Sequence, residues 1–185
     1  MKGFIFTELI QMVEEKFGYS IADELASNPV LPSKGVFTGV GNYPFSEMQI
    51  MLKDLHERTQ IPISDLLFTY GVWLFKRLGA RYPYLIEDTT SAFDLLRQLD
   101  QKIHVEIKKL YPESQPPRII TEDIDDQTMK MVYISHRKMG ILAQGLIHGC
   151  ASYFGETVEV NSVEISEDGT TETFLIKKVP NADLP

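Results

Sequence analysis

At 185 residues the chain has the length of one domain with a substantial core. Its net charge of −8 excludes a general nucleic-acid binder, which needs clustered Lys and Arg to meet phosphates. A single cysteine, Cys150, excludes an internal disulfide and a zinc site with several cysteine ligands, and no apolar run approaches the ~20 residues of a membrane span. The lone cysteine fits a reducing cytoplasm, the expected location. The start, Met1 to Phe6, meets Glu8, Glu14 and Glu15 too soon for a signal peptide.

In chain order, Ile5, Leu9, Met12, Val13 and Phe17 recur at helical spacing, and Gly18 ends the run, so residues 2–17 read as an amphipathic helix. A shorter helix runs through Ile21 to Leu25, and residues 28–45, with three Pro and three Gly, read as a long loop. Ser46 and Gln49 fit a capping box for a helix reaching Arg58. Ser64-Asp65 opens the next helix, apolar almost all round; Gly71 in its middle implies a close neighbour. Ser91 caps what reads as the longest helix, running to Tyr111 and containing His104, and Pro112 closes it. Arg118 to Glu122 and Thr128 to Ser135 read as strands joined by the acidic turn Asp123 to Asp126. A helix over 138–154 follows, then a second hairpin of Thr157 to Ile165 and Thr171 to Lys178, with Asp168-Gly169 in its turn. Helices followed by two hairpins with a helix between them define an α+β fold with a small antiparallel sheet.

Two groups of residues carry candidate chemistry. Along a strand, Tyr133, Ser135 and Arg137 share one face, and their phenol, hydroxyl and guanidinium suit an anion such as a carboxylate. The same row also fits a solvated strand face. His104 lies between Ile103 and Ile107, with Leu96, Leu99 and Leu110 near its face; it fits a core histidine or an axial ligand to haem iron. Pro116-Pro117 fits a helix stop, or a stiff wall against a flat ligand. His148 and Cys150 read as core, His56 as solvated, and His136 has no assigned role.

These residues resemble the H-NOX (haem nitric oxide/oxygen binding) family, related to the sensor region of soluble guanylate cyclase, in its bacterial stand-alone form. His104 precedes Pro117 by thirteen positions; Tyr133-x-Ser135-x-Arg137 is complete; Lys138-Met139, Gly145 to Gly149, Gly71 and the opening Met1-Lys2-Gly3 with Ile5 also match, so the resemblance covers nearly the whole chain. It implies one domain over 1–181, a helical distal part at about 1–62 and a haem-ligating part at about 63–181, with haem buried between them and a tail at 182–185. It also implies His104 as the ligand to the iron of haem b. Tyr133, Ser135 and Arg137 would hold the propionates, and Pro117 and Ile5 would press on the macrocycle.

Oxygen-binding members place a tyrosine over the iron. The matching position here is Leu142, and the nearby distal positions are Ile5, Leu9, Leu74, Leu78 and Leu146, all apolar. Bound oxygen draws negative charge and needs a donor, whereas nitric oxide depends on one far less. Tyr70, Trp73 and Tyr153 are the other candidate donors. The expectation is a non-enzymatic sensor of nitric oxide and carbon monoxide that forms no stable oxygen complex. It would signal, through release of the His104–iron bond, to a separate histidine kinase or cyclic-di-GMP enzyme. The rival classes are a peroxidase-like haem enzyme, which needs a distal acid–base pair, and a haem-free carrier or adaptor for apolar ligands.

Overall fold

The first helix, α1 (Gly3–Phe17), has no side-chain cap; its leading amides, from Gly3 and Phe4, donate instead to the Gly41 and Gly39 carbonyls at 2.9 and 3.1 Å. The 28–45 loop is therefore folded back over the start of α1, which satisfies two of the four donors that a helix N-terminus leaves open. Phe6 and Phe37 stack on each other, and Tyr43 meets both edge to face. The computed structural model describes residues 1–180, and the expected tail at 182–185 lies outside them.

Helix α2 (Tyr19–Ala26) follows, then α3 (Phe45–Thr59) and α4 (Ile63–Arg81). The Ser46 capping box does not form. Pro44 occupies the cap position, so Ser46 falls inside the first turn, and Glu47, only 1% exposed, accepts from the Ser33 amide at 3.2 Å and from the Ser33 hydroxyl. Nor does Ser64 cap α4, which starts at Ile63 behind Pro62. His56 is half-buried and bonds the Ile61 carbonyl at 2.7 Å rather than standing in solvent.

The expected 91–111 helix is three pieces. Ser91 does cap α5 (Ala92–Gln98), accepting from the Asp94 amide at 3.1 Å. A five-residue π-turn, Leu99–Ile103, then leads into α6 (His104–Leu110), and Leu110 is half exposed rather than on the buried face. The 19-residue α4 is the longest helix of the described residues.

Strands β1 (Arg118–Asp125), β2 (Thr128–Ile134), β3 (Thr157–Ile165) and β4 (Thr171–Val179) form one antiparallel sheet in the order β1-β2-β4-β3, with α7 (Gly140–Tyr153) between the hairpins. Asp168 shapes the β3–β4 turn: one carboxylate oxygen accepts from Ser166 Oγ, Thr170 N and Thr170 Oγ1 at 2.7, 3.0 and 2.8 Å, and Gly169 takes φ +69°. The Thr170 amide and these hydroxyls lower the Asp168 pKa from 3.8 to about 2. A depressed carboxylate stabilises the fold above its ordinary pKa. The hairpin contribution should thus be complete above pH about 4 and be lost as pH falls through about 2. An Asp168→Asn variant should lack that part of the acid transition in a pH-resolved denaturant titration.

Two cores result. One packs α1–α4 with Met139 and Leu142; the other packs α5, the sheet and the rest of α7. The first takes in Leu66, Tyr70 and Leu74, so it extends past residue 62. Glu8 of α1, 4% exposed, joins α4 through Arg77 Nε at 2.6 Å and Trp73 Nε1 at 3.4 Å. No helix of the described residues is long and apolar enough to cross a membrane.

Candidate functional site

A cavity of about 570 Å³ is bounded by residues of both cores, a size within the ~300–1,000 Å³ of small-ligand pockets. His104, Pro117, Tyr133, Ser135, Arg137, Ile5, Leu74, Leu78, Leu142 and Leu146 all line it. Leu9 does not: one helical turn beyond Ile5, it is wholly buried in the first core.

Three buried side-chain atoms among the described residues lack a hydrogen-bond partner, namely His104 Nδ1, Ser114 Oγ and Arg137 Nε, and all three residues stand on this wall. Unpartnered buried polar atoms are costly, so the Ser114 hydroxyl and the Arg137 guanidinium point to a group that completes them, while His104 Nδ1 faces the Asp100 carboxylate at 3.6 Å.

Sequence alternation brings Tyr133, Ser135 and Arg137 together, but not as one strand. β2 ends at Ile134, and only Tyr133 belongs to it. Ser135 accepts the Arg137 amide at 3.2 Å, and Lys138 turns the chain with φ +53°. That tight turn carries Arg137 back over the cavity, where Nη1 donates to the Gln115 carbonyl at 2.7 Å. Burial lowers the Arg137 pKa and so opposes its charge; no carboxylate among the described residues pairs with it. Burial raises the Tyr133 pKa, against weaker hydrogen bonding from Ser135 and the Met139 amide, so the phenol keeps its proton and can donate. Positive charge also accumulates from a source that residue spacing does not reveal. The Met1 ammonium and Lys2 line the same cavity, and Arg137 and Lys2 lower the Met1 amine pKa after burial has done so.

His104 begins α6, its side chain 16% exposed. Burial lowers its pKa, with Asp100 opposing, so the imidazole is neutral, as a metal ligand must be. Leu96, Leu99, Ile103 and Ile107 flank it on the wall. The alternative distal donors are engaged elsewhere. Tyr70 donates to the Ile5 carbonyl, Trp73 to Glu8, and Tyr153 is 56% exposed. His148 meets Phe68 edge to face and Cys150 is buried; among the described residues no cluster of three His, Cys, Asp or Glu could hold a metal.

The wall segment that the sequence did not mark is 111–115. The Tyr111 hydroxyl lies 3.1 Å from that of Tyr82, Lys2 sits over the Tyr111 ring, and Glu113 accepts from Asn42 at 2.8 Å. One neutral imidazole, an apolar chamber and a cationic, donor-rich rim fit haem, with a metal at its centre and carboxylates at its edge.

The comparisons with known proteins agree. The family model described as Haem-NO-binding matches residues 2–162. An unliganded Fe(II) H-NOX protein from K. algicida is 35% identical over 100% of both chains, at a TM-score of 0.90. An H-NOX from Shewanella woodyi, solved in the Fe(II)CO state bound to IWP-051, is 32% identical over 100% of this chain and 97% of that one, at 0.85. One from S. oneidensis in the Fe(II)NO state is 26% identical over 97% and 99%, at 0.89. No curated protein sequence matches the chain. This is the fold of a haem-based gas sensor. The chain belongs to the haem-NO-binding, or H-NOX, family.

Proposed function

We propose that the domain binds haem b through His104 and senses nitric oxide and carbon monoxide without forming a stable oxygen complex. The observation carrying this reading is that, among the described residues, the unpartnered buried Ser114 Oγ and Arg137 Nε stand on the same cavity wall as the buried imidazole of His104. His104 would hold the iron, while Arg137, Tyr133 and Ser135 would hold the propionates, Arg137 by charge and the other two by neutral hydrogen bonds. Pro117 and Ile5 would press on the macrocycle. Ferrous haem supplies a metal centre that takes up diatomic gases. Around it Leu74, Leu78, Leu142 and Leu146 exclude water and offer no proton, which disfavours oxygen. These four leucines supply no distal acid–base pair of the kind a peroxidase needs, so the sensor reading stands ahead of an enzymatic one.

Signalling to a separate partner protein would begin when His104 lets go of the metal. Helix α6 has no fully buried residue and follows a π-turn, a common site of local adjustment. Its motion would pull on residues 111–115, and through them on Lys2, Asn42, Tyr82 and Arg137. Two positions of this segment are the two states a switch requires.

Absorption spectra of the reduced protein are the test. Nitric oxide and carbon monoxide should each shift the Soret band, and air should produce no oxy spectrum. A stable oxy form in air would overturn the gas assignment, and no Soret band after added haemin would overturn the whole reading.

A further inference from the structure

Asp100 lies in the π-turn, four residues before His104, and nothing in its sequence context singles it out. Its Oδ1 stands 3.6 Å from His104 Nδ1 and accepts from the Ile119 amide of β1 at 3.3 Å. Nδ1 itself is buried and has no hydrogen-bond partner; at 3.6 Å the carboxylate acts on it by charge rather than by a hydrogen bond.

We infer that Asp100 is the positioning residue of His104: its charge selects the imidazole tautomer that carries its proton on Nδ1, leaving the Nε2 lone pair for a metal, and makes that nitrogen a stronger donor. This rests on the proposed role of His104.

A neutral imidazole has one N–H and one lone pair. With the proton on Nδ1, the positive end of the N–H dipole faces the carboxylate. With the proton on Nε2, the Nδ1 lone pair would face an anionic oxygen across the same gap, an arrangement that is repulsive in a site where burial weakens screening. The first tautomer therefore wins on sign alone. A carboxylate behind a ligating imidazole also raises its basicity, and outer partners of this kind typically change metal affinity by about 10–100-fold. Asp100 is 37% exposed and beyond hydrogen-bond reach, so the low end of that range applies.

The anchor matters as much as the charge. Because Asp100 Oδ1 is tied to Ile119 at the start of the sheet, it stays with β1 when α6 moves. Displacement of His104 then also carries Nδ1 away from its anion. The donor strength of His104 and the position of α6 become one variable, which bears on how readily nitric oxide displaces the imidazole.

The experiment compares the haem-loaded protein with its Asp100→Asn and Asp100→Ala variants. Asn keeps an oxygen for the Ile119 amide and removes only the charge; Ala removes both, and the Asn variant decides the matter if Ala does not fold. The readouts are the iron–imidazole stretching frequency of the ferrous protein and the fraction of molecules in which nitric oxide displaces His104. Expected are a lower frequency and a larger displaced fraction in both variants, at wild-type circular dichroism. A frequency unmoved in Asn, whether or not it moves in Ala, overturns the inference, because packing and not charge would be at work. Loss of this band in His104→Gly beside an unmoved band in Asp100→Asn would leave the His104 assignment standing while the Asp100 role fell. Wild-type protein that takes up no haem overturns both.

Discussion

Replacing His104 with glycine should weaken haem binding by about 100-fold or more, beyond the 10–100-fold typical of an outer-partner change, and added imidazole should restore much of it. His104 supplies the one imidazole on the cavity wall, and its neighbours Leu96, Leu99, Ile103 and Ile107 have no donor atom to replace it. Deleting the ring leaves a gap of its own shape next to Asp100, which free imidazole can fill. Haem that does enter should still meet Arg137, Tyr133 and Ser135, so binding should be reduced rather than abolished. The second consequence concerns output. With no covalent tie between iron and α6, the 111–115 segment should sit in its released position whether or not gas is present. Soret titrations with and without imidazole measure the first effect, and partner activity with and without nitric oxide measures the second. Unchanged haem affinity, or gas regulation of the partner that survives in the variant, would contradict the assignment of His104.

Legibility in the sequence followed the range of the forces involved. Ser91 was readable because its capping bond reaches only three residues, to the Asp94 amide. The four strands were readable because alternation is local, and their bounds move by only a few residues. Ser46 satisfied the same local rule and failed, because its helix start is settled by Pro44 and by a contact from Glu47 to Ser33, fourteen residues away. The π-turn left no sign either. Leu99 to Ile103 are ordinary helix formers, and the turn coincides with a long-range tie from Asp100 to Ile119. One extra residue in that turn rotates the α6 side chains by about 100°, and Leu110 ends half exposed rather than beside His104.

The site divided along the same line. Residue types in a fixed spacing marked Tyr133, Ser135, Arg137, Pro117 and His104, and all of them line the cavity. Spacing gave no site role to Met1, Lys2 or Ser114, which line the cavity only through the folding of a loop, or to Asp100, which meets His104 across a break in a helix. Leu9 shows the opposite error, for helical periodicity assigns a face but not how far along that face a ligand extends.

The glycines of the α4–α7 crossing test whether the proposed gas chamber depends on helix separation. A Cβ on Gly145 would lie 2.2 Å from the Phe68 carbonyl oxygen and 2.9 Å from Gly71 Cα, and one on Gly71 would lie 2.4 Å from the Leu142 carbonyl oxygen. These neighbours are backbone and cannot turn aside, so Gly145→Ala must push the two helices apart. Alanine gains about 1 kcal/mol of helix propensity over glycine, while overpacking costs about 1–3 kcal/mol and more against rigid backbone. The clash should win by about 2 kcal/mol, which for a domain of this size lowers Tm by about 4–8 °C. The separated helices carry Leu74 and Leu78 on one side and Leu142 and Leu146 on the other, so the chamber should also widen. Carbon monoxide should then rebind faster after flash photolysis. Gly39→Ala, whose Cβ meets nothing within 4 Å, is the control for stability and should leave Tm unchanged. If Gly145→Ala loses stability but rebinds carbon monoxide at the wild-type rate, the spacing of α4 and α7 holds the fold together without governing entry of the gas. If it rebinds faster, helix separation is what sets the chamber, and small residues at this crossing are a requirement of sensing as well as of packing.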